Sequence, residues 1–206
     1  MKTGLFGGSF NPIHNGHINL AVSVKESLGL DRVILIPSGT APHKSSAEYA
    51  AAKDRLEMCR LACSDISGLE VSDYEINKSG KSYTIYTVEH FRKEYPEDEL
   101  YWLVGSDMLL SFETWFRYRE ILKNTSVAAI SRTGDDINEL LKMSDKLSEY
   151  GKCIVINADV ITISSTELRK MIKNNCDLSC YLNGKVVKYI IPVSYTHLTL
   201  PTKLEV

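Results

Sequence analysis

Apolar positions along the 206-residue chain follow two alternating patterns. Short runs rich in β-branched and aromatic residues, RVILI (32–36), LYWLV (100–104), VAAI (127–130) and CIVI (153–156), predict strands, with two more over 2–6 and 69–76. Between them apolar residues recur at helical spacing over 16–28, 48–62, 84–94, 115–122, 137–150 and 165–174. A last helix is predicted over 180–191, stopped by Pro192. Such alternation predicts an α/β fold, a mostly parallel, doubly wound sheet with helices on both faces, forming one domain over 1–191. Ligands in that class bind beyond the carboxyl ends of the strands. Residues 192–206 show neither period and are expected to be a non-native or disordered tail.

Composition narrows the classes. At 44% hydrophobic and 24% charged residues the chain has the make-up of a soluble globular domain, and it holds no internal repeat. A net charge of −2 is too close to neutral for a protein that coats nucleic acid. No apolar run is long enough to span a membrane and the first residues lack the pattern of a secretory signal, so a cytoplasmic location is expected. The five cysteines agree with a reducing compartment. Cys59/Cys63 and Cys176/Cys180 each stand one helical turn apart in predicted helices, a spacing that favours reduced thiols over a zinc site, and no metal ligands are assigned.

Two stretches carry chemistry. The first strand runs into GGSFNPIHNGH (7–17), where the helix begins. Gly7 and Gly8 allow a tight turn and close approach to a ligand, Pro12 stiffens the loop, and Gly16 leaves the helix N-terminus uncovered for an anion. His14 and His17, three apart, share one face of the first turn and can both donate to phosphate oxygens. The second stretch, ISSTELR (163–169), opens the helix after the last strand. Ser164 and Glu167 have capping-box spacing, while Ser165, Thr166 and Arg169 add hydroxyls and a guanidinium suited to the β- and γ-phosphates of a nucleotide. The chain has no GxxxxGK[ST], GxGxxG or GxSxG, which removes the main support for a P-loop ATPase, a dinucleotide oxidoreductase or a serine hydrolase.

With these motifs the chain resembles the HxGH nucleotidyltransferases, and within them the bacterial nicotinate-nucleotide adenylyltransferases. PSGTAPHK (37–44), KSYTIYT (81–87), LVGSDMLLSFETWFRY (103–118) and Arg132 carry that resemblance. Asn11, Ala41 and Tyr86 depart from the family pattern, the last two at positions that bear on substrate placement. The resemblance implies a Rossmann-like fold and adenylyl transfer from ATP to nicotinate mononucleotide, giving nicotinate adenine dinucleotide and pyrophosphate, with Mg2+ entering on ATP. It implies catalytic roles for His14, His17, Lys44 and Arg169. ATP would meet Gly8, Ser9, Phe10, Gly16, Arg132, Ser164, Ser165 and Thr166, and the mononucleotide Thr84, Gly105, Asp107, Trp115 and Phe116. Oligomeric state is left open. Three other readings compete: pantetheine-phosphate adenylyltransferase, a non-catalytic nucleotide sensor, and a fragment of a class I aminoacyl-tRNA synthetase suggested by KMSDK (142–146). That last motif falls in a predicted helix with a Leu140, Leu141 and Leu147 stripe, which argues for a solvated lysine face.

Overall fold

Parallel strands need crossovers, and the helices between the strands supply them. A computed structural model describes residues 1–39, 50–131, 136–158, 161 and 163–193, with the side chains of 191–193 excepted. Strands β1 (Lys2–Gly8), β2 (Arg32–Pro37), β3 (Leu69–Val71), β4 (Glu99–Gly105), β5 (Ser126–Ser131) and β6 (Cys153–Asn157) form one sheet in the order β3-β2-β1-β4-β5-β6. Every neighbouring pair is parallel.

The strands read as continuous apolar runs because both faces are covered. Phe6, Val33, Leu35, Tyr101, Leu103, Ala128 and Ile130 point to one face, into a core shared with α1 (Asn15–Leu28), α2 (Ala52–Cys63), α8 (Ser165–Lys173) and α9 (Gly184–Val193). Their chain neighbours Leu5, Ile34, Ile36, Leu100, Trp102, Val104, Val127 and Ala129 point to the other face, covered by α4 (Thr84–Glu94), α5 (Ser106–Leu110), α6 (Tyr118–Asn124) and α7 (Ile137–Leu147). A short helix, α3 (Tyr74–Asn77), follows β3. The strand period of two thus sorts one set of residues into two cores.

The strand order creates the crevice. The chain starts at the centre, winds out to β3 and returns to β4 on the other side of β1. The β1–β4 register runs from Lys2↔Glu99 to Leu5↔Trp102 and ends there, while β1 stays paired with β2 to Gly8↔Pro37 and β4 with β5 to Gly105↔Ile130. The carboxyl ends of β1 and β4 therefore part at the topological switch point, where ligands bind in such sheets.

Several expected boundaries shift. The strand over 69–76 stops at Val71, and residues 74–77 form α3, because the alternation of SDYEI also fits one helical turn. The helix expected over 115–122 begins at Tyr118; Trp115 instead ends a single 3₁₀ turn, Phe112–Thr114. Within the expected 48–62 helix, α2 starts at Ala52, where the Asp54 and Arg55 N–H groups donate to the Ala51 carbonyl. The final helix starts at Gly184 rather than 180, so Cys176 and Cys180 lie in the exposed connection before it and not in a helix. That helix also runs past the expected stop to Val193, so Pro192 and Val193 belong to α9, whose Val186 and Ile190 anchor it in the core. Residues 194–206 lie outside the described residues.

Because Ile190 is buried against the α2 side of the sheet, Ile190→Ala should lower unfolding stability by about 2–5 kcal/mol. Urea denaturation checks this, and an unchanged midpoint would show that α9 contributes no core.

Candidate active site

The loop between β1 and α1 turns sharply. Phe10 has φ +44° and is 1% exposed, its ring edge-on to Phe6 at 5.4 Å and to His17 at 5.1 Å between centroids. A non-glycine residue in the left-handed region is held there by its surroundings. Two glycines allow the packing: a Cβ on Gly8 would lie 2.9 Å from the Phe10 ring, and one on Gly7 2.7 Å from Trp102. His14 is the N-cap of α1, in extended backbone, and the helix begins at Asn15, one residue before the expected start. Its N–H donates to Nδ1 of His17 at 3.3 Å, and the two imidazoles lie 3.6 Å apart at 33°. With Nδ1 accepting, the proton of a neutral His17 sits on Nε2. Gly16 is required by close approach, since a Cβ there would meet the Ile161 carbonyl at 2.6 Å.

The second motif packs against the first. Ser164 caps α8 reciprocally with Glu167, its Oγ accepting from the Glu167 N–H at 3.1 Å and the carboxylate accepting from the Ser164 N–H at 2.9 Å. The Ser164 hydroxyl also donates to that carboxylate at 2.6 Å, and this bond, with the one from the Ser164 N–H, holds the Glu167 carboxyl below the ordinary carboxylate range. Ser165 Oγ donates to the Pro12 carbonyl at 3.1 Å, and Arg169 donates to the Asn11 carbonyl at 2.9 Å and to Thr166 Oγ1 at 3.1 Å. The ends of α1 and α8 thus meet around one cavity of about 390 Å³.

Twelve of the seventeen residues expected from sequence line that cavity: Gly8, Ser9, Phe10, His14, Gly16, His17, Gly105, Trp115, Ser164, Ser165, Thr166 and Arg169. Thr84, Asp107 and Phe116 are not in its wall. Thr84 opens α4, Asp107 is exposed in the first turn of α5, and Phe116 is 48% exposed with its ring 4.9 Å from that of Tyr83. Trp115 is half-buried, resting on Phe112 at 4.9 Å while also facing the cavity. Lys44 and Arg132 lie outside the described residues.

The described wall contains imidazoles, hydroxyls and a guanidinium but no carboxylate. It suits a polyanion. Among the described residues no group of three His, Cys, Asp or Glu is placed to hold a metal ion. KMSDK lies in α7, with Ser144 Oγ bonded to the Cys153 carbonyl at 3.0 Å and Lys146 paired with Glu113, so it has a structural role away from the cavity.

Sequence reasoning missed two buried charges. Arg55, 2% exposed in α2, donates to the carbonyls of Ser9, Ser38, Gly39 and Ala50. Glu75, 5% exposed, accepts from Thr87 Oγ1 at 2.6 Å. The signal for Arg55 was present, because it precedes Met58, Cys59 and Ala62 at the spacing of a buried helix face. Burial pushes the Glu75 carboxyl above the usual range, outweighing the bonds from Thr87 and Ser82 and the charges of Lys78 and Arg55.

Comparison with known proteins places this geometry. The profile of the cytidylyltransferase-like family matches residues 5–171, which defines the class as nucleotidyltransferase. A Neisseria meningitidis relative named a probable nicotinate-nucleotide adenylyltransferase is 39% identical over 173 residues, 82% of this chain and 87% of its own. A Clostridium tetani relative of the same name is 36% identical over 191 residues, 92% and 96% of the two chains. The chain belongs to the nicotinate-nucleotide adenylyltransferase family. The fold is shared with Plasmodium falciparum nicotinic acid mononucleotide adenylyltransferase complexed with NaAD, at TM-score 0.79 and 20% identity, covering 97% of this chain and 100% of that one. The same protein complexed with APC aligns at TM-score 0.77 and 19% identity.

The raised Glu75 carboxyl has a consequence for stability. The folded state holds this proton to higher pH than the unfolded chain, so the contribution is full below the ordinary carboxylate range and is lost as pH rises above it. Glu75→Gln, which keeps an acceptor for Thr87, should flatten the stability profile there. Thermal melts of both proteins from pH 4 upward, about one unit at a time, check it; parallel profiles would refute the assignment.

Proposed function

We propose that this cavity joins the phosphate of nicotinate mononucleotide to the α-phosphorus of ATP, forming nicotinate adenine dinucleotide and releasing pyrophosphate. The observation that carries this reading is the meeting of two helix N-termini, a closely packed histidine pair and Arg169 in one wall whose described residues include no carboxylate, at the switch point. The names of the relatives and the NaAD complex of the P. falciparum protein support it.

A phosphate monoester is already anionic near neutral pH, so an oxygen of the mononucleotide attacks without a protein base. The bond from that oxygen to the α-phosphorus forms as the bond to the bridging oxygen breaks, and pyrophosphate leaves with the bond's electrons. Positioning and charge stabilisation supply the rate. In this reading His17 donates from Nε2, and His14, with the Gly8, Ser9 and Phe10 backbone and the open turn at Gly16, completes the α-phosphate site. Ser164, Ser165, Thr166 and Arg169 receive the departing pyrophosphate, with Lys44 and Arg132 contributing charge. The substrate is MgATP, its Mg2+ carried by the phosphate oxygens, since the described wall offers no carboxylate to bind it.

Trp115 stacks on the pyridine ring, Asp107 takes ribose hydroxyls, and Gly105 lets the mononucleotide lie against β4. Among the described residues neither the Thr84 nor the Phe116 N–H has an acceptor, and the Tyr83 ring lies 4.9 Å from that of Phe116. Main-chain donors suit the nicotinate carboxylate and pair poorly with an amide NH₂. A cytoplasmic location belongs to the same reading and is supported by five free cysteines.

Incubation with MgATP and, separately, nicotinate mononucleotide, nicotinamide mononucleotide or phosphopantetheine should release pyrophosphate fastest with the first. Release with phosphopantetheine alone would overturn the reading. His17→Ala should cut kcat by on the order of a hundredfold with little change in KM for the mononucleotide. Trp115→Ala should raise that KM by the equivalent of about 1–3 kcal/mol and leave KM for ATP nearly unmoved. A lower melting point with both KM values raised together would make Trp115 a core residue only.

A further inference from the structure

Arg55 stands behind the phosphate loop, outside the cavity wall and almost wholly buried. Its Nη1 donates to the Ser9 carbonyl at 2.7 Å, Nη2 to those of Ser38 at 2.7 Å and Gly39 at 3.2 Å, and Nε to that of Ala50 at 3.2 Å. One planar fork therefore ties the loop after β1 to the end of β2 and the start of α2. The Ser9 bond has a directional consequence. In a planar trans peptide the C=O and the next N–H point opposite ways, so a Ser9 carbonyl turned to Arg55 turns the Phe10 N–H away, to the side where Ser9 and Phe10 line the cavity.

The Phe10 N–H has no acceptor among the described residues. Phe10 itself sits at φ +44°, a conformation that needs support from both sides. Its ring is held by Phe6 and His17, and the preceding peptide by Arg55. A lysine could keep the charge but not the fork, since a single ammonium cannot take four carbonyls on three segments in this geometry.

We propose that Arg55 is a positioning residue for adenylyl transfer: without touching a substrate it fixes the Ser9–Phe10 peptide, and with it the donors presented to the ATP phosphates. This deepens the functional reading above and rests on it.

The test compares wild type, Arg55→Lys and Arg55→Ala by melting temperature, steady-state kinetics and equilibrium binding of MgATP and of nicotinate mononucleotide. Arg55→Lys should stay folded, lose about ten- to a hundredfold in kcat and in MgATP affinity, and bind the mononucleotide nearly as wild type. Millimolar guanidinium should restore part of the activity of Arg55→Ala and none to wild type; if that variant does not fold, Arg55→Lys alone decides. A folded Arg55→Lys with wild-type kcat and MgATP affinity overturns the proposal. So do equal losses for both substrates that track a lowered melting point without rescue. If wild type itself releases no pyrophosphate with the mononucleotide, the functional reading fails, and the MgATP affinity of Arg55→Lys still decides the role of Arg55.

Discussion

The loop from Ser9 to Pro12 lies beyond the hydrogen-bond ladder of β1 and short of α1, and its carbonyls are held by side chains from other parts of the chain. Arg55 takes the carbonyl of Ser9, Arg169 that of Asn11 and Ser165 that of Pro12. Asn11 in turn accepts from the Ala50 N–H through its own side chain. Buried main-chain groups must find partners, and here the partners come from α2 and α8, so the loop has its shape only when both helices are docked. Formation of the phosphate site and completion of the fold are one event. Two of the three donors are guanidiniums, whose bonds to carbonyls are charge-assisted and directional.

The sheet sets where that loop can lie. Because β1 pairs with β4 only as far as Leu5↔Trp102, the last residues of β1 are free of β4 and the space between the strands opens. Trp102 closes its floor, close enough to Gly7 that no side chain fits there, and Gly16 lets residue 161 reach α1 from the far side of the site. The glycines of GGSFNPIHNGH thus serve contact between elements as well as local turning. The same divergence puts the N-termini of α1 and α8 on one side of the crevice, where the positive ends of the two helix dipoles add to the positive character of the wall.

Much of this was legible in sequence because it is local. A fully covered parallel strand is a short apolar run, and six such runs separated by helical patterns leave few topologies. HNGH and ISSTELR are contiguous, so their residues must share a helix end whatever the rest of the chain does. The errors fall where local pattern is ambiguous or tertiary packing decides. Five residues after β3 fit a strand or a turn of helix equally well. Trp115 lies in an aromatic segment with helical spacing, yet Phe112 draws it into a 3₁₀ turn. Val186 and Ile190 carry α9 past the expected stop at Pro192. Arg55 and Glu75 were missed because most of their partners come from other elements of the chain, and a charge on a buried face was the only local trace.

Chemistry by positioning explains why the charges are arranged in two layers. The reacting phosphates need donors at fixed places more than they need an acid or base, and main-chain amides are the donors least able to move. They are also weak unless the backbone behind them is immobile. Arg55 supplies that immobility from a position shielded from solvent, where carbonyl dipoles stabilise its permanent charge. Glu75 lies in the same buried region, and its raised carboxyl shows that desolvation outweighs the attraction of Arg55. The outer layer of imidazoles and hydroxyls thus meets the substrate over a backbone already set in place.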